Sequence, residues 1–203
     1  MNNHLWTITA KWYYHVRSIF PFRLILKAEN RQLQTLLGSL DLSDQIVIDL
    51  GTGTGNALQF CEQARFAMGI DANLAMLQLA RKKHEKRFFI QADVIALPLK
   101  SGFAGLVLAV GLSEYLRDLD AFFEEIARIL SDRGSCIITY SPIGLRTLLR
   151  SFLGHKIYPR CLAEIVQIAA KHRFAKVSHR DSWMQGQILF QKTDGVPCCT
   201  DCC

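Results

Sequence analysis

Three glycines alternate with threonines directly after a short apolar run. Residues 46–50 (IVIDL) lead into residues 51–55 (GTGTG), and a helical pattern follows over about 55–64. Glycine permits a sharp turn and lets the backbone approach a ligand, and the free amides at a helix start form a polar, slightly positive edge. The pattern predicts a strand, a turn and a helix that together hold a nucleotide-like ligand.

The spacing of these glycines argues against two common phosphate-binding motifs. A P-loop requires Gly-x-x-x-x-Gly-Lys-Ser/Thr, and no Gly-Lys pair follows the turn. A dinucleotide fingerprint requires Gly-x-Gly-x-x-Gly, and Asn56 stands where its third glycine belongs. A glycine-rich turn without any such ligand remains the plain alternative.

Two acidic residues follow the next two apolar runs. Asp71 stands 20 residues after Gly51, and Asp93 follows the run at 87–91. A carboxylate at the end of the second strand can accept hydrogen bonds from ribose hydroxyls. Each residue also suits a structural role, because Asp71 or Asn73 can cap the next helix and Asp93 can close a turn.

Taken in order, these segments resemble the class I S-adenosylmethionine-dependent methyltransferases. Residues 49–55 resemble the first motif of that family, 69–77 the second segment, and 91–99, with Leu97-Pro98, the third. The resemblance extends over about residues 45–140. One departure is Phe103-Ala104-Gly105-Leu106, where the family often has Asp-Ala or Asp-Val; it lies outside the cofactor segments.

The resemblance implies that S-adenosylmethionine is the methyl-donor cofactor. It places Asp71 at the ribose and Met76 on the adenine. It also places Asp93, with the amide of Val94, near the adenine amino group. The cofactor-binding residues that it implies are Asp49, Gly51, Thr52, Gly53, Gly55, Asp71, Ala72, Met76, Asp93, Val94, Val110 and Tyr14.

The residues after the fourth strand, 111–115, are expected to face the methyl group. Methyl transfer is an in-line displacement that requires alignment and exclusion of water, and some acceptors also need a general base. Glu114 and Tyr115 are the candidate catalytic residues; the alternative is that Glu114 is solvated and Tyr115 only packs. Further candidates are His15, His155 and Tyr158.

Two segments that are apolar and basic, 12–22 and 143–153, are candidate lids. The resemblance implies that the first closes over the site and that Tyr14 touches the cofactor. The second suits a lid wall or a membrane-surface face, and simple packing on the sheet is the alternative for both. We therefore expect a small, apolar acceptor such as a quinone precursor or a lipid. Nucleic acid is disfavoured, because no Asn-Pro-Pro-Tyr-like motif follows the fourth strand.

The elements that must position these residues follow from the apolar periodicity. Strands are predicted at 46–50, 66–70, 87–91, 105–110, 135–140, 174–182 and 187–191. Helices are predicted at 55–64, 74–84, 119–130 and 161–172. Continuous apolar strands separated by helices indicate a parallel sheet buried on both faces. The predicted fold is α/β, a doubly wound Rossmann-like sheet of seven mostly parallel strands with helices on both faces and an N-terminal helical cap.

The domain organisation is predicted to be simple. Residues 1–38 form the cap, 39–192 the cofactor-binding domain, and 193–203 a flexible tail. The 203-residue chain is half hydrophobic and carries a formal charge of +6, which allows weak attraction to acidic substrates or anionic lipid. It shows neither a signal peptide nor a run of about 20 apolar residues, so a cytoplasmic location is expected.

Four of the seven cysteines crowd the end of the chain, at positions 198, 199, 202 and 203. Thiolates bind zinc or arsenic, but adjacent cysteines suit one tetrahedral site poorly. A free tail without metal is therefore expected. A rival hypothesis for the whole chain is a non-catalytic protein of the same fold that binds S-adenosylmethionine or a partner.

Overall fold

The computed structural model describes residues 22–144, 147, 156–182 and 184–194. Seven strands form one sheet in the order β3-β2-β1-β4-β5-β7-β6. The strands are β1 (Ile46–Leu50), β2 (Phe66–Asp71), β3 (Phe88–Gln91), β4 (Ala104–Ala109), β5 (Leu130–Tyr140), β6 (Phe174–Asp181) and β7 (Gly186–Lys192). β1 to β5 run parallel, and β7 lies antiparallel between β5 and β6. The predicted seven-stranded, mostly parallel sheet is confirmed.

Four α-helices are described in this sheet protein. They are α1 (Phe22–Leu37), α2 (Leu74–Lys83), α3 (Leu119–Ile129) and α4 (Leu162–Lys171). The α2 helix begins after Asn73, whose side chain accepts hydrogen bonds from two amides of the first turn, and Asp118 caps α3 in the same way. Such caps satisfy amides that have no partner inside the helix.

Helices cover both faces of the sheet, as predicted. Successive side chains of a strand point to opposite faces, and β1 shows the consequence. Ile48 and Leu50 belong to a core that contains residues of α3 and α4. Val47 belongs to a second core, with residues of α1 and α2. Two buried layers therefore fix where β1 ends and where its glycine turn begins.

Two local predictions are wrong. The segment predicted as a helix at 55–64 contains only a 3-10 turn, Ala57–Phe60. Gly55 has φ +76°, and this left-handed conformation prevents a helix from starting there. The strand predicted at 135–140 begins earlier, at Leu130, because Arg133 (φ 58°) belongs to an irregularity in the pairing of β4 with β5 and the strand continues through it.

Several predictions concern residues outside the described part of the chain. The first 21 residues of the cap, with Tyr14 and His15, lie outside it, as do most of the 143–153 segment, His155 and the cysteine-rich end. The predicted domain limits stay predictions. Within the described residues, no helix combines the length and the apolar character needed to cross a membrane.

Candidate functional site

The glycine turn after β1 brings its backbone to an open cavity. Gly53 has φ +54°, which an L side chain rarely adopts, and a Cβ added there would meet no atom within 4 Å. A side chain at this position would therefore be strained and would project into open space. The amide of Thr52 donates to the carbonyl of Ile70 over 3.0 Å, which ties the turn to the end of β2.

The carboxylate of Asp71 is fixed against this turn. Its Oδ2 accepts a hydrogen bond from the Gly53 amide over 2.8 Å, and its Oδ1 accepts one from the Asn73 amide over 2.8 Å. Burial raises the pKa of Asp71, and the two amide hydrogen bonds oppose that shift. Each oxygen accepts only one of these bonds, so a carboxylate oxygen can still accept from a ligand hydroxyl.

Asp49 lies beneath the same turn, with only 2% of its surface exposed. Its Oδ2 accepts a hydrogen bond from Thr52 Oγ1 over 2.6 Å. Burial raises the pKa of Asp49 to about 7, the Thr52 hydrogen bond opposes the shift, and the nearby charge of Asp71 adds to it. Two carboxyl groups held this close to one turn favour a cationic ligand over an anionic one.

A cavity of about 760 Å³ runs along the carboxyl edge of the sheet. Most of the predicted cofactor-binding residues lie on its wall. These are Asp49, Gly51, Thr52, Gly53, Asp71, Ala72, Met76, Asp93, Val94 and Val110. Gly55 does not line it, and a Cβ there would collide with the His84 ring at 2.7 Å. Gly55 therefore contributes to the shape of the turn on the side that packs against His84, not on the side of the cavity.

The predicted adenine end is built on α2 and the segment after β3. Met76 and Val94 are buried, with 4% and 5% of their surfaces exposed. Asp93 Oδ1 accepts a hydrogen bond from the Ile95 amide over 3.3 Å, so the residue also closes the local turn. Asn73 Nδ2 is buried on the same cavity and has no hydrogen-bond partner among the described residues. An unpaired buried donor is rare in native proteins and suits a ligand acceptor.

The two candidate catalytic residues take different positions. Both belong to a 3-10 turn, Ser113–Tyr115, directly after β4. Tyr115 lines the cavity, whereas Glu114 does not line it and is 1% exposed. The alternative of a solvated Glu114 is thus wrong, and its position does not favour direct contact with an acceptor. Tyr158, the third described candidate, lies on the cavity wall.

A buried arginine that the sequence analysis missed holds this loop in place. Arg160 is 6% exposed, and its guanidinium donates to the carbonyls of Ser113 (3.1 Å), Leu116 (2.7 Å) and Arg117 (3.2 Å). Burial lowers the pKa of Arg160, and the Glu164 carboxylate, 3.6 Å away, opposes this. No motif surrounds Arg160 in the sequence, so its partners emerge only in the fold.

The part of the cavity wall formed by α1 was missed as well. Four residues of α1 line it, together with one residue of the turn before β7. They are Leu26, Glu29, Asn30, Leu33 and Gln185. Glu29 and Gln185 are buried polar residues, 6% and 5% exposed. For Glu29, the only pattern in the sequence that pointed to a site was a polar residue within an apolar stripe of a helix. For Gln185, the sequence showed only that a turn lies near Gly186.

Comparisons with known proteins agree with the predicted family. Residues 48–138 match the sequence profile of the methyltransferase domain. Demethylmenaquinone methyltransferase of Thermus thermophilus is 33% identical over 112 residues, which are 51% of this chain and 50% of that protein. Malonyl-[acyl-carrier protein] O-methyltransferase of Methylovorus sp. is 28% identical over 138 residues, 62% of this chain and 46% of that one. The chain spans about half the length of the curated relatives it matches.

Solved structures share the fold at low sequence identity. Magnesium protoporphyrin IX methyltransferase from Synechocystis, with SAH bound, has a TM-score of 0.78 and 17% identity, covering 94% of this chain and 98% of that one. Geranyl diphosphate C-methyltransferase from Streptomyces coelicolor has a TM-score of 0.71 and 13% identity, with 81% of each chain covered. The domain match over residues 48–138, together with the glycine turn and its acids, supports a class I S-adenosylmethionine-dependent methyltransferase, and the solved structures share its fold.

Proposed function

We propose that the chain transfers a methyl group from S-adenosylmethionine to a small, largely apolar molecule. The observation that carries the proposal is one continuous cavity. It joins Gly53 and Asp71 at one end to Tyr115 and Tyr158 at the other. A cavity lined mainly by apolar groups with a few placed polar ones is typical of small-molecule sites.

The residues at the glycine turn fit the cofactor. The carboxyl groups of Asp49 and Asp71 suit the positive charge of a sulfonium, and Asp71 suits ribose hydroxyls. The bound cofactor supplies an electrophilic methyl group: the acceptor's lone pair forms a bond to the methyl carbon, the carbon–sulfur bond breaks, its electron pair stays on sulfur, and the acceptor's proton passes to a base or to water.

The residues at the other end exclude water and orient the acceptor. Tyr115 lies in the loop after β4, and the amide of Tyr158 donates to the carbonyl of Glu114 over 2.7 Å, so the two tyrosine segments are joined. Apolar walls that hold an acceptor in line with the methyl group supply much of what this reaction needs. A hydroxyl in such a wall can also accept or relay the proton.

The names of the relatives support a small acceptor. The curated relatives are described as acting on demethylmenaquinone and on malonyl-[acyl-carrier protein]. The structural neighbours are described as acting on magnesium protoporphyrin IX and geranyl diphosphate. These molecules differ widely, so they support the class of acceptor and not one compound; a quinone precursor or a lipid remains our proposal.

The first test concerns the methyl donor. Replacing Asp71 with Ala should weaken S-adenosylmethionine binding about 10- to 100-fold, because hydrogen bonds to a charged group are lost. Titration calorimetry measures this, and Asp44→Ala, at an exposed site before β1, is the matched control. An unchanged affinity in folded Asp71→Ala protein would contradict the ribose assignment.

The second test concerns turnover. Protein incubated with cell extract and methyl-labelled S-adenosylmethionine should label the small-molecule or lipid fraction. Label confined to protein or nucleic acid would contradict the proposed acceptor class. Binding of S-adenosylhomocysteine without any labelled product would instead favour a non-catalytic binding protein.

A further inference from the structure

Gln185 lies on the cavity wall and has a buried, unpaired side-chain oxygen. The residue is 5% exposed and lines the cavity wall. Its Oε1 has no hydrogen-bond partner among the described residues. A buried acceptor without a partner costs free energy, and such groups in native proteins call for an explanation. A ligand that donates a hydrogen bond would remove this cost.

The side chain of Gln185 is not needed to hold its own turn. Backbone groups and Ser182 do that: the Ser182 amide and hydroxyl donate to the Gln185 carbonyl over 2.8 and 2.7 Å, and the Gln185 amide donates to Ser182 Oγ over 3.0 Å. These hydrogen bonds fix the backbone of Gln185, and they do not use its side-chain amide group.

The sheet order places Gln185 far from the adenine end. Gly186, the next residue, pairs with Tyr140 at the carboxyl end of β5. Four strand spacings separate β2, which ends at Asp71, from β7, and four spacings amount to about 19 Å. Gln185 thus lies on the side of β4 opposite the glycine turn, away from the residues assigned to the methyl donor.

Helix α1 closes the cavity beside Gln185, and two hydrogen bonds dock it there. Gln187 Nε2 donates to the carbonyl of Glu29 over 2.9 Å, and Gln32 Nε2 donates to the carbonyl of Asp181 over 2.5 Å. The buried side chain of Glu29 lies on the same cavity wall. Leu26 and Leu33 of α1 also line this wall, so the region combines an apolar surface with the unpaired oxygen of Gln185.

We propose that Gln185 is an acceptor-binding residue, whose amide oxygen receives a hydrogen bond from a hydroxyl or amino group on a small, otherwise apolar molecule. This inference rests on the proposed function and narrows its acceptor class. Leu26, Leu33 and Tyr158 line the same cavity and suit the apolar part of this molecule.

The test compares two probes that differ only in the donor. Binding of 1-naphthol and 1-methoxynaphthalene to protein saturated with S-adenosylhomocysteine is measured by ligand-observed NMR titration. Wild type should prefer 1-naphthol about tenfold, the value of one well-made hydrogen bond. Gln185→Leu should lose this preference, and Gln185→Glu, which keeps an acceptor oxygen, should retain it. Gln191→Leu, an exposed position on β7, should behave as wild type.

Three outcomes would overturn the proposal. They are equal affinity of wild type for the two probes, no binding of either, and a preference that survives in Gln185→Leu. Thermal unfolding adds an independent readout: a side chain with a purely structural role would make Gln185→Leu less stable, whereas loss of an unpaired oxygen should leave the melting temperature unchanged or higher. Cofactor binding is measured separately, so a negative result for Gln185 can be distinguished from a failure of the proposed function.

Discussion

At the scale of single residues, the buried acid beneath the glycine turn has the clearest consequence for pH. The pKa of Asp49 is raised to about 7, mainly by burial. Between pH 4 and 7 the folded chain therefore holds a proton that the unfolded chain has lost. The contribution of this group to stability is present at low pH and disappears as the pH rises through 7.

Replacing Asp49 with Asn should remove this pH dependence. We expect the variant to match wild type near pH 4 and to exceed it at pH 8 by roughly 2–4 kcal/mol, since each unit of pKa shift corresponds to about 1.4 kcal/mol. Urea unfolding at both pH values measures it, with Asp44→Asn as the control. If the variant is no more stable than wild type at pH 8, ionisation of the buried Asp49 carboxyl group does not destabilise the fold, and the prediction is wrong.

At the scale of elements, Arg160 joins the loop after β4 to the segment that precedes α4. One guanidinium serves three carbonyls of that loop and the carbonyl of Tyr158. The cavity wall at Tyr115 and Tyr158 therefore depends on one side chain that does not itself line the cavity.

Arg160→Met should lower the free energy of unfolding by about 2–4 kcal/mol, because several buried carbonyls lose charged donors. Methyl transfer should fall more than cofactor affinity, since the glycine turn is untouched. Urea unfolding and calorimetry with S-adenosylhomocysteine test this, with exposed Arg180→Met as the matched control. Equal stability of the two variants would contradict the role assigned to Arg160.

Strands could be predicted from the sequence where a continuous run of apolar residues dominates. β1 and β4 are continuous apolar runs, and the structure has them within a residue of the predicted limits. The helix predicted at 55–64 failed because the left-handed backbone of Gly55 prevents a helix from starting there. β5 was predicted to begin late because Asp132 and Gly134 are typical turn residues, whereas in the structure they lie inside the strand, at an irregularity in its pairing.

At the scale of the whole molecule, the two halves of the site differ in how visible they are in the sequence. The glycine turn and Asp71 belong to segments that follow each other along the chain, so their spacing reveals them. The opposite wall joins α1 to the turn before β7, and Gln187 bonds to Glu29 across 158 positions of sequence. No local pattern encodes such a pairing.

Because the cavity joins elements from both ends of the chain, a ligand should stabilise the entire fold. At a free concentration of 100 times its dissociation constant, S-adenosylhomocysteine should add about 2.7 kcal/mol. For a chain of this size that corresponds to a rise in melting temperature of about 5–10 °C. Differential scanning fluorimetry measures the shift, which Asp71→Ala, with its 10- to 100-fold weaker binding, should reduce to about 0.4–1.4 kcal/mol at the same ligand concentration.

β7 runs antiparallel to its neighbours in the sheet. The proposed acceptor site can therefore change in evolution without a change in the donor site. The hairpin turn at 182–185 reaches the carboxyl edge of the sheet without belonging to any strand that carries the glycine turn or its acids. Mutation can therefore vary the length and composition of this hairpin while the donor half stays intact. Under the role proposed for Gln185, this turn is where substitutions in an evolving or engineered chain would change acceptor preference.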